Sequence, residues 1–144
     1  MRKTRIVASI AAAALIAMPA VAWTPASTSF ALNGTVNGCS FNGTIVTNAS
    51  GTTATVTAAA LSGTPPFCAA LFANFPYAVT ALSTTSIKIS NVLIQNGAVI
   101  CQGNLLGSWN NLTGTMSFNA VLPSNGSLSC PIVGSVTTSP QLSM

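Results

Sequence analysis

The chain has 144 residues, only 3% of them charged: four Lys or Arg, and no Asp, Glu or His, for a formal net charge of +4. That inventory removes the serine triad, paired-carboxylate glycosidase chemistry and general acid–base catalysis by carboxylate or imidazole. Zinc sites built on His or carboxylate are excluded as well, and calcium would meet only neutral oxygens.

Met1-Arg2-Lys3-Thr4-Arg5 is a short basic segment, and the alanine-rich apolar run Ile6–Met18 follows it. The run is shorter than the roughly 20 apolar residues a bilayer-spanning helix needs. Ala20-Val21-Ala22 then supplies a signal-peptidase pattern of small residues. Residues 1–22 are therefore expected to be a bacterial-style signal peptide cleaved before Trp23, leaving residues 23–144 as one secreted β domain. Arg2, Lys3 and Arg5 would leave with the signal, so the 122 residues that remain carry Lys88 alone. No cluster of Lys and Arg survives to track phosphates, so no nucleic-acid partner is expected, nor a polybasic lipid patch. No transmembrane segment is expected after cleavage.

From Trp23 onward the chain reads as strands and turns. Ser, Thr and Asn fill 45 of these 122 positions, and apolar residues are interleaved with them at period two, the mark of half-buried strands. Phe30, Leu32 and Val36 share one face of the first candidate strand. Cys39, Phe41 and Ile45 share a face of the second, and Ala54, Val56, Ala58 and Ala60 of the third. After Pro65-Pro66, the spacing of Phe67, Leu71, Phe72 and Phe75 predicts one short helix over 67–75, stopped by Pro76. The alternative there is a loop whose aromatics plug the end of the core; in both cases the segment is packing. Ile87, Ile89 and Leu93 line a middle strand. Val99, Cys101, Leu105 and Trp109 line the next, and Met116, Phe118, Ala120 and Leu122 the one after. Leu128, Cys130, Ile132 and Val136 close the series. Asn48–Thr52 and Asn111–Thr115 share the pattern of a hairpin loop, and Asn125-Gly126 is a tighter turn signal.

The chemistry-bearing candidates are few. Cys39, Cys68, Cys101 and Cys130 are an even set at intervals of 29, 33 and 29 residues. Metal sites use closely spaced pairs, so two disulfides are expected. Three pairings are possible, and the equal intervals favour Cys39–Cys68 with Cys101–Cys130. Ser86 and Ser90 flank Lys88 and would share its strand face, so a Ser–Lys dyad survives on paper. The ordinary reading is a lone lysine that discourages edge-to-edge strand pairing. No catalytic, cofactor-binding or metal-binding residue is assigned, and no cofactor is expected. The N-x-[ST] triplets at Asn33, Asn42, Asn48, Asn111 and Asn125 follow from a composition this rich in Asn, Ser and Thr. A weak likeness between the stretches beginning at Cys39 and Cys130 is no sustained repeat.

Several stretches resemble the PraB family, known as activators of alkane oxidation. They are Trp23–Phe30, the strand from Gly38-Cys39, Phe67-Cys68 with the segment after it, Gly107–Thr115, and Gly134–Pro140. The resemblance covers nearly all of residues 23–144. It implies a small secreted bacterial protein that supports growth on hydrocarbons and is linked to the cell surface or biofilm matrix. It brings no catalytic motif.

The expected architecture is all-β: a single β-sandwich or flattened barrel of about seven or eight antiparallel strands with one short helix and two disulfides. The expected function is non-enzymatic, acting through apolar and Ser/Thr/Asn surfaces on other copies of itself, on the cell envelope or on a hydrocarbon–water interface. Two alternatives are a fibre subunit that donates residues 23–36 as a strand, and a small carrier of alkanes or fatty acids. The carrier would need an interior cavity of about 300 Å³ or more. An outer-membrane barrel would need strands of about 9–11 residues and aromatic girdles, which the sequence does not display.

Overall fold

The computed structural model describes residues 21–58, 61–63, 68, 71–96, 98–127 and 129–144. Eight antiparallel strands follow one another in space as in sequence and close into a barrel. They are β1 (Ser29–Val36), β2 (Cys39–Thr47), β3 (Thr53–Ala58), β4 (Tyr77–Ser83), β5 (Ser86–Asn96), β6 (Val99–Asn110), β7 (Thr115–Leu122) and β8 (Cys130–Ser139). Of the two architectures expected, the barrel is the one formed. The deciding contact is the pairing of β1 with β8, from Ala31↔Ser139 to Val36↔Gly134. Two glycines permit it. A Cβ on Gly34 would lie 2.0 Å from the Ser135 carbonyl oxygen, and one on Gly134 would lie 2.2 Å from that of Thr35. Only residues without a side chain let the first and last strands approach so closely.

The interior is apolar. Phe30, Leu32, Val36, Cys39, Phe41, Ile45, Ala54, Val56, Met116, Phe118, Leu122, Ile132 and Val136 are all buried, as the period-two pattern requires. Outward positions between them are mostly Ser, Thr and Asn, with Val46, Val121 and Val133 among the exceptions. The wall is thus turned the opposite way from a transmembrane barrel, whose apolar band faces out. Ala60 and Leu128 of the expected strand faces lie outside the described residues, as do residues 1–20 of the expected signal peptide.

Three expectations change. First, Tyr77–Ser83 forms a strand that the candidate series lacks; Tyr77 and Val79 are its buried pair. Second, Leu93 does not share a face with Ile87 and Ile89. The pairing of β5 with β6 shifts register between Ile89 and Val92. Asn91 there adopts a positive φ of 55°, and its N–H is taken by the Asn104 side chain at 3.2 Å. This bulge adds one residue to β5, so Val92 and Ile94 turn inward instead. Third, the described part of 67–75 is not helical from Leu71 on. Phe72 and Asn74 have φ of 63° and 62°, values a right-handed helix does not admit. Leu71–Pro76 instead runs as a strap, pinned where Ala73 pairs with Leu93. Residues 64–67, 69 and 70 of that connection are outside the described residues. The strap's aromatics plug the core: Phe75 stacks at 4.6 Å from Tyr77 and meets Phe41 edge-on at 6.3 Å.

The hairpins fall where the turn residues stand. Residues 48–52 join β2 to β3, and residues 111–114 join β6 to β7. Asn37-Gly38 joins β1 to β2 as a two-residue turn with φ of 51° and 77°, the left-handed pair such a turn requires.

Candidate functional site

Both disulfides form with the pairing that the equal intervals favour, Cys39–Cys68 and Cys101–Cys130. Each sits at the end of the barrel that holds the β1–β2, β3–β4, β5–β6 and β7–β8 connections. Cys39 opens β2 and is tied to the long β3–β4 connection; Cys130 opens β8 and is tied across β7 to β6. No free cysteine and no group of three His, Cys, Asp or Glu that could hold a metal occurs among the described residues.

The strap and the strands beneath it enclose an apolar void of about 40 Å³, bounded among others by Leu32, Phe41, Phe72, Phe75, Tyr77 and Met116. This volume is far below the roughly 300 Å³ of a small-molecule pocket. Among the described residues that line it, Tyr77 has the one polar side chain. Its hydroxyl donates to the Ala73 carbonyl and accepts a long contact from the Leu93 N–H at 3.5 Å. Burial pushes its phenol above the ordinary value, and the Leu93 backbone contact opposes this.

The opposite end holds the first and last described segments of the chain. Trp23 and Leu142 are fully buried there, and Trp23 meets Trp109 edge-on with centroids 6.2 Å apart. Thr24 and Ser143 exchange two backbone hydrogen bonds of 2.7 and 3.2 Å. Asn111 binds three groups: its Oδ1 accepts from Trp109 Nε1 at 2.7 Å and from the Met144 N–H at 2.6 Å, and its Nδ2 donates to the Met144 carbonyl at 2.7 Å. The buried Thr138 hydroxyl donates to the Gly114 carbonyl at 3.1 Å and accepts from the Leu142 N–H at 2.9 Å.

Lys88 is the single charged side chain among the described residues. It stands on the outer wall of β5, opposite Thr80 on one side and Leu106 on the other. The Ser86 hydroxyl is engaged by Ser83 at 2.7 Å. The Ser–Lys arrangement therefore lies on the outer sheet surface, with one of its serines already bonded to Ser83. It has the form of a strand-surface lysine.

What remains chemically distinctive is the outer wall. Leu106, Val121 and Val133 are 58%, 61% and 52% exposed. They flank Asn119, which pairs directly with Val133. Leu112, at the tip of the β6–β7 loop, is 87% exposed. Val46, Leu82 and Ile100 are exposed as well, and most of the remaining described wall is hydroxyl and carboxamide. Alternation with buried Leu105, Leu122 and Ile132 turns Leu106, Val121 and Val133 outward, but which of them lie side by side depends on strand register, which a local pattern does not carry.

Residues 1–144 match the family model described as alkane oxidation protein activator PraA/PraB-like. The chain belongs to this family. No curated protein and no solved structure matches it. By its family's description a PraA/PraB-like chain is an activator of alkane oxidation. The two disulfides in this PraA/PraB-like barrel are bonds of the kind that persist in an oxidising compartment.

Proposed function

We propose that this PraA/PraB-like chain is a non-enzymatic, secreted bacterial protein of the cell surface or biofilm matrix, which supports growth on hydrocarbons by acting at the oil–water or envelope boundary. The observation that carries the reading is the outer wall. It combines exposed Leu106, Val121, Val133 and Leu112 with neutral Ser, Thr and Asn and one lysine. A surface with so little charge has little self-repulsion, and its exposed Leu and Val side chains gain by leaving water where they meet an apolar phase.

The other two readings find less support. Residues 31–36 of the would-be donor strand are paired on both sides, with β2 and β8, and Trp23 is fully buried. An alkane or fatty-acid carrier would need several times the void present beneath the strap.

Pendant-drop tensiometry against hexadecane tests the proposal on the processed, oxidised protein. The expected result is a lower interfacial tension than that of a β-barrel control of similar size with an ordinary charged surface. Replacing Leu106, Val121 and Val133 together by Thr should return the tension most of the way to the control value. Equal tension for the native chain and the control would overturn the interfacial reading.

A further inference from the structure

Ser86 on β5 pairs across the sheet with Ser108 on β6, and Ser108 with Ser117 on β7. Ser117 pairs with Ser135 on β8, Ser135 with Thr35 on β1, and Thr35 with Ser40 on β2. One unbroken row of hydroxyl residues thus crosses six consecutive strands. It continues to Ser83 at one end and, through an isolated bridge, to Ser62 at the other. Adjacent strands lie about 4.8 Å apart, so a hydroxyl recurs at about that interval around the barrel. Two residues further along the strands, about 7 Å away, a second row joins Thr115, Thr137, Asn33 and Asn42 by the same pairings.

Folding alone does not call for this row. Exposed strand positions favour Thr and other β-branched or aromatic residues, yet five of the six positions named are Ser. Four of the six hydroxyls are not consumed internally: Ser86 is bonded to Ser83 and Ser108 donates a long bond of 3.5 Å to the Ser117 carbonyl, but those of Thr35, Ser40, Ser117 and Ser135 bond no protein group among the described residues.

We propose that this belt is a docking surface for a neutral polysaccharide. Such a polymer presents hydroxyls that both donate and accept, at close intervals and without charge, and the belt presents the same chemistry. An acidic polymer would need rows of Lys and Arg, and Lys88 is the single described cation. An oil phase would leave the hydroxyls unpaired, which is costly. A second copy fits poorly, because two convex barrels touch along a narrow strip. Stable protein pairs bury roughly 1,200–2,000 Å² in total. A flexible polymer can follow the curve. Since the belt spans β5 through β2, chains can dock on several sides, and one molecule would cross-link two polymer strands with the avidity of linked sites. This proposal does not depend on interfacial activity.

Cosedimentation of the processed, oxidised protein with microcrystalline cellulose, cross-linked dextran and alginate beads tests it. The expected result is retention on at least one of the two neutral matrices, little changed by added salt, since no ion pair is involved. The triple variant Thr35→Val, Ser117→Val, Ser135→Val keeps strand-forming residues at exposed positions and should bind at least about tenfold more weakly. Thr35→Ser, which keeps the hydroxyl, should bind as the native chain does. A thermal melt confirms that each variant is folded. Retention on neither neutral matrix, retention on alginate alone, equal retention of the triple variant, or dimerisation in place of polymer binding would overturn the proposal. The triple variant should still lower the hexadecane tension, so the two readings fail separately.

Discussion

At one end of the barrel Cys39–Cys68 and Cys101–Cys130 tie the connections covalently; at the other, Trp23, Thr24, Leu142 and Met144 bring the first and last described segments against the core and bond them to each other and to Asn111. The difference follows from what each end has to work with. The termini end is crossed by short hairpins and by two extended segments, whose backbone groups pair with each other and with Asn111 and Thr138. The cystine end is covered by the long connection between β3 and β4, whose described residues make backbone bonds at Ser62, Leu71 and Ala73. It is covered with Phe72, Phe75 and a small void beneath them, and it is cross-linked. Hydrogen-bonded closure and covalent closure are alternative answers to the same problem, the open mouth of a small barrel.

The largest effect is expected at the termini end. Trp23 is fully buried, its Nε1 has no hydrogen-bond partner, and its contribution is therefore packing. Trp23→Ala should cost about 3–5 kcal/mol. Phe72→Ala, at a half-buried strap position, should cost less than about 2 kcal/mol. Urea unfolding of the two variants compares them directly. Equal losses would mean that the strap carries as much of the core as the termini do.

Next comes the covalent end. Each disulfide joins residues 29 apart, and closing a loop of that size in the unfolded chain is worth about 3–4 kcal/mol. The double variant Cys39→Ala, Cys68→Ala should lose about that much. Both tryptophans lie at the far end of the barrel, so the fluorescence of the folded variant should match that of the native chain. A changed emission maximum before unfolding would show that the two ends are coupled rather than independently closed.

Asn111→Ala probes the hydrogen-bonded closure without opening a large cavity. It removes the partner of Trp109 Nε1 and of both Met144 backbone groups. The expected cost is about 1–3 kcal/mol, with the Trp109 indole N–H left unpaired. Hydrogen exchange should accelerate at Leu142–Met144 and stay unchanged at the strap; acceleration at both ends would again argue for coupling.

The strands themselves were legible because Phe30, Leu32 and Val36, and their counterparts on later strands, alternate with Ser, Thr and Asn. The hairpins at 48–52 and 111–114 were legible because Asn and Gly mark them. The bulge at Asn91 was not, because one extra residue leaves the composition unchanged while it exchanges Leu93 for Val92 and Ile94 in the core. Phe67, Leu71, Phe72 and Phe75 carried a helical spacing, but the positive φ of Phe72 and Asn74 lets the described strap turn its aromatics inward without a helix. Barrel rather than sandwich rested on β1 meeting β8, a contact between opposite ends of the chain that no local pattern encodes. The hydroxyl belt is of the same kind: each Ser reads as outward, but the row exists only once the register is set.

The smallest effect concerns protons and separates the two ends by pH. With no Asp, Glu or His in the sequence, neither closure contains a side chain that titrates in the usual acid range. Stability depends on pH only where the folded and unfolded states bind protons differently. The melting temperature should therefore hold within about 2 °C between about pH 4.5 and 7. Tyr77, the single tyrosine, is the group at the cystine end that breaks this flatness. Its phenol is held above its ordinary value by burial, so the folded state resists losing that proton while the unfolded chain gives it up near the model value of 10.0. The stabilisation is fully present below that pH and is lost as pH rises through the folded value. Thermal melts of the oxidised protein should fall above about pH 10, and those of Tyr77→Phe should fall less steeply over the same range. The termini end has no such group among its buried side chains, Thr47 and Thr138 being its buried polar residues. Identical alkaline slopes for the native chain and Tyr77→Phe would place the alkaline sensitivity elsewhere and remove the pH distinction between the ends.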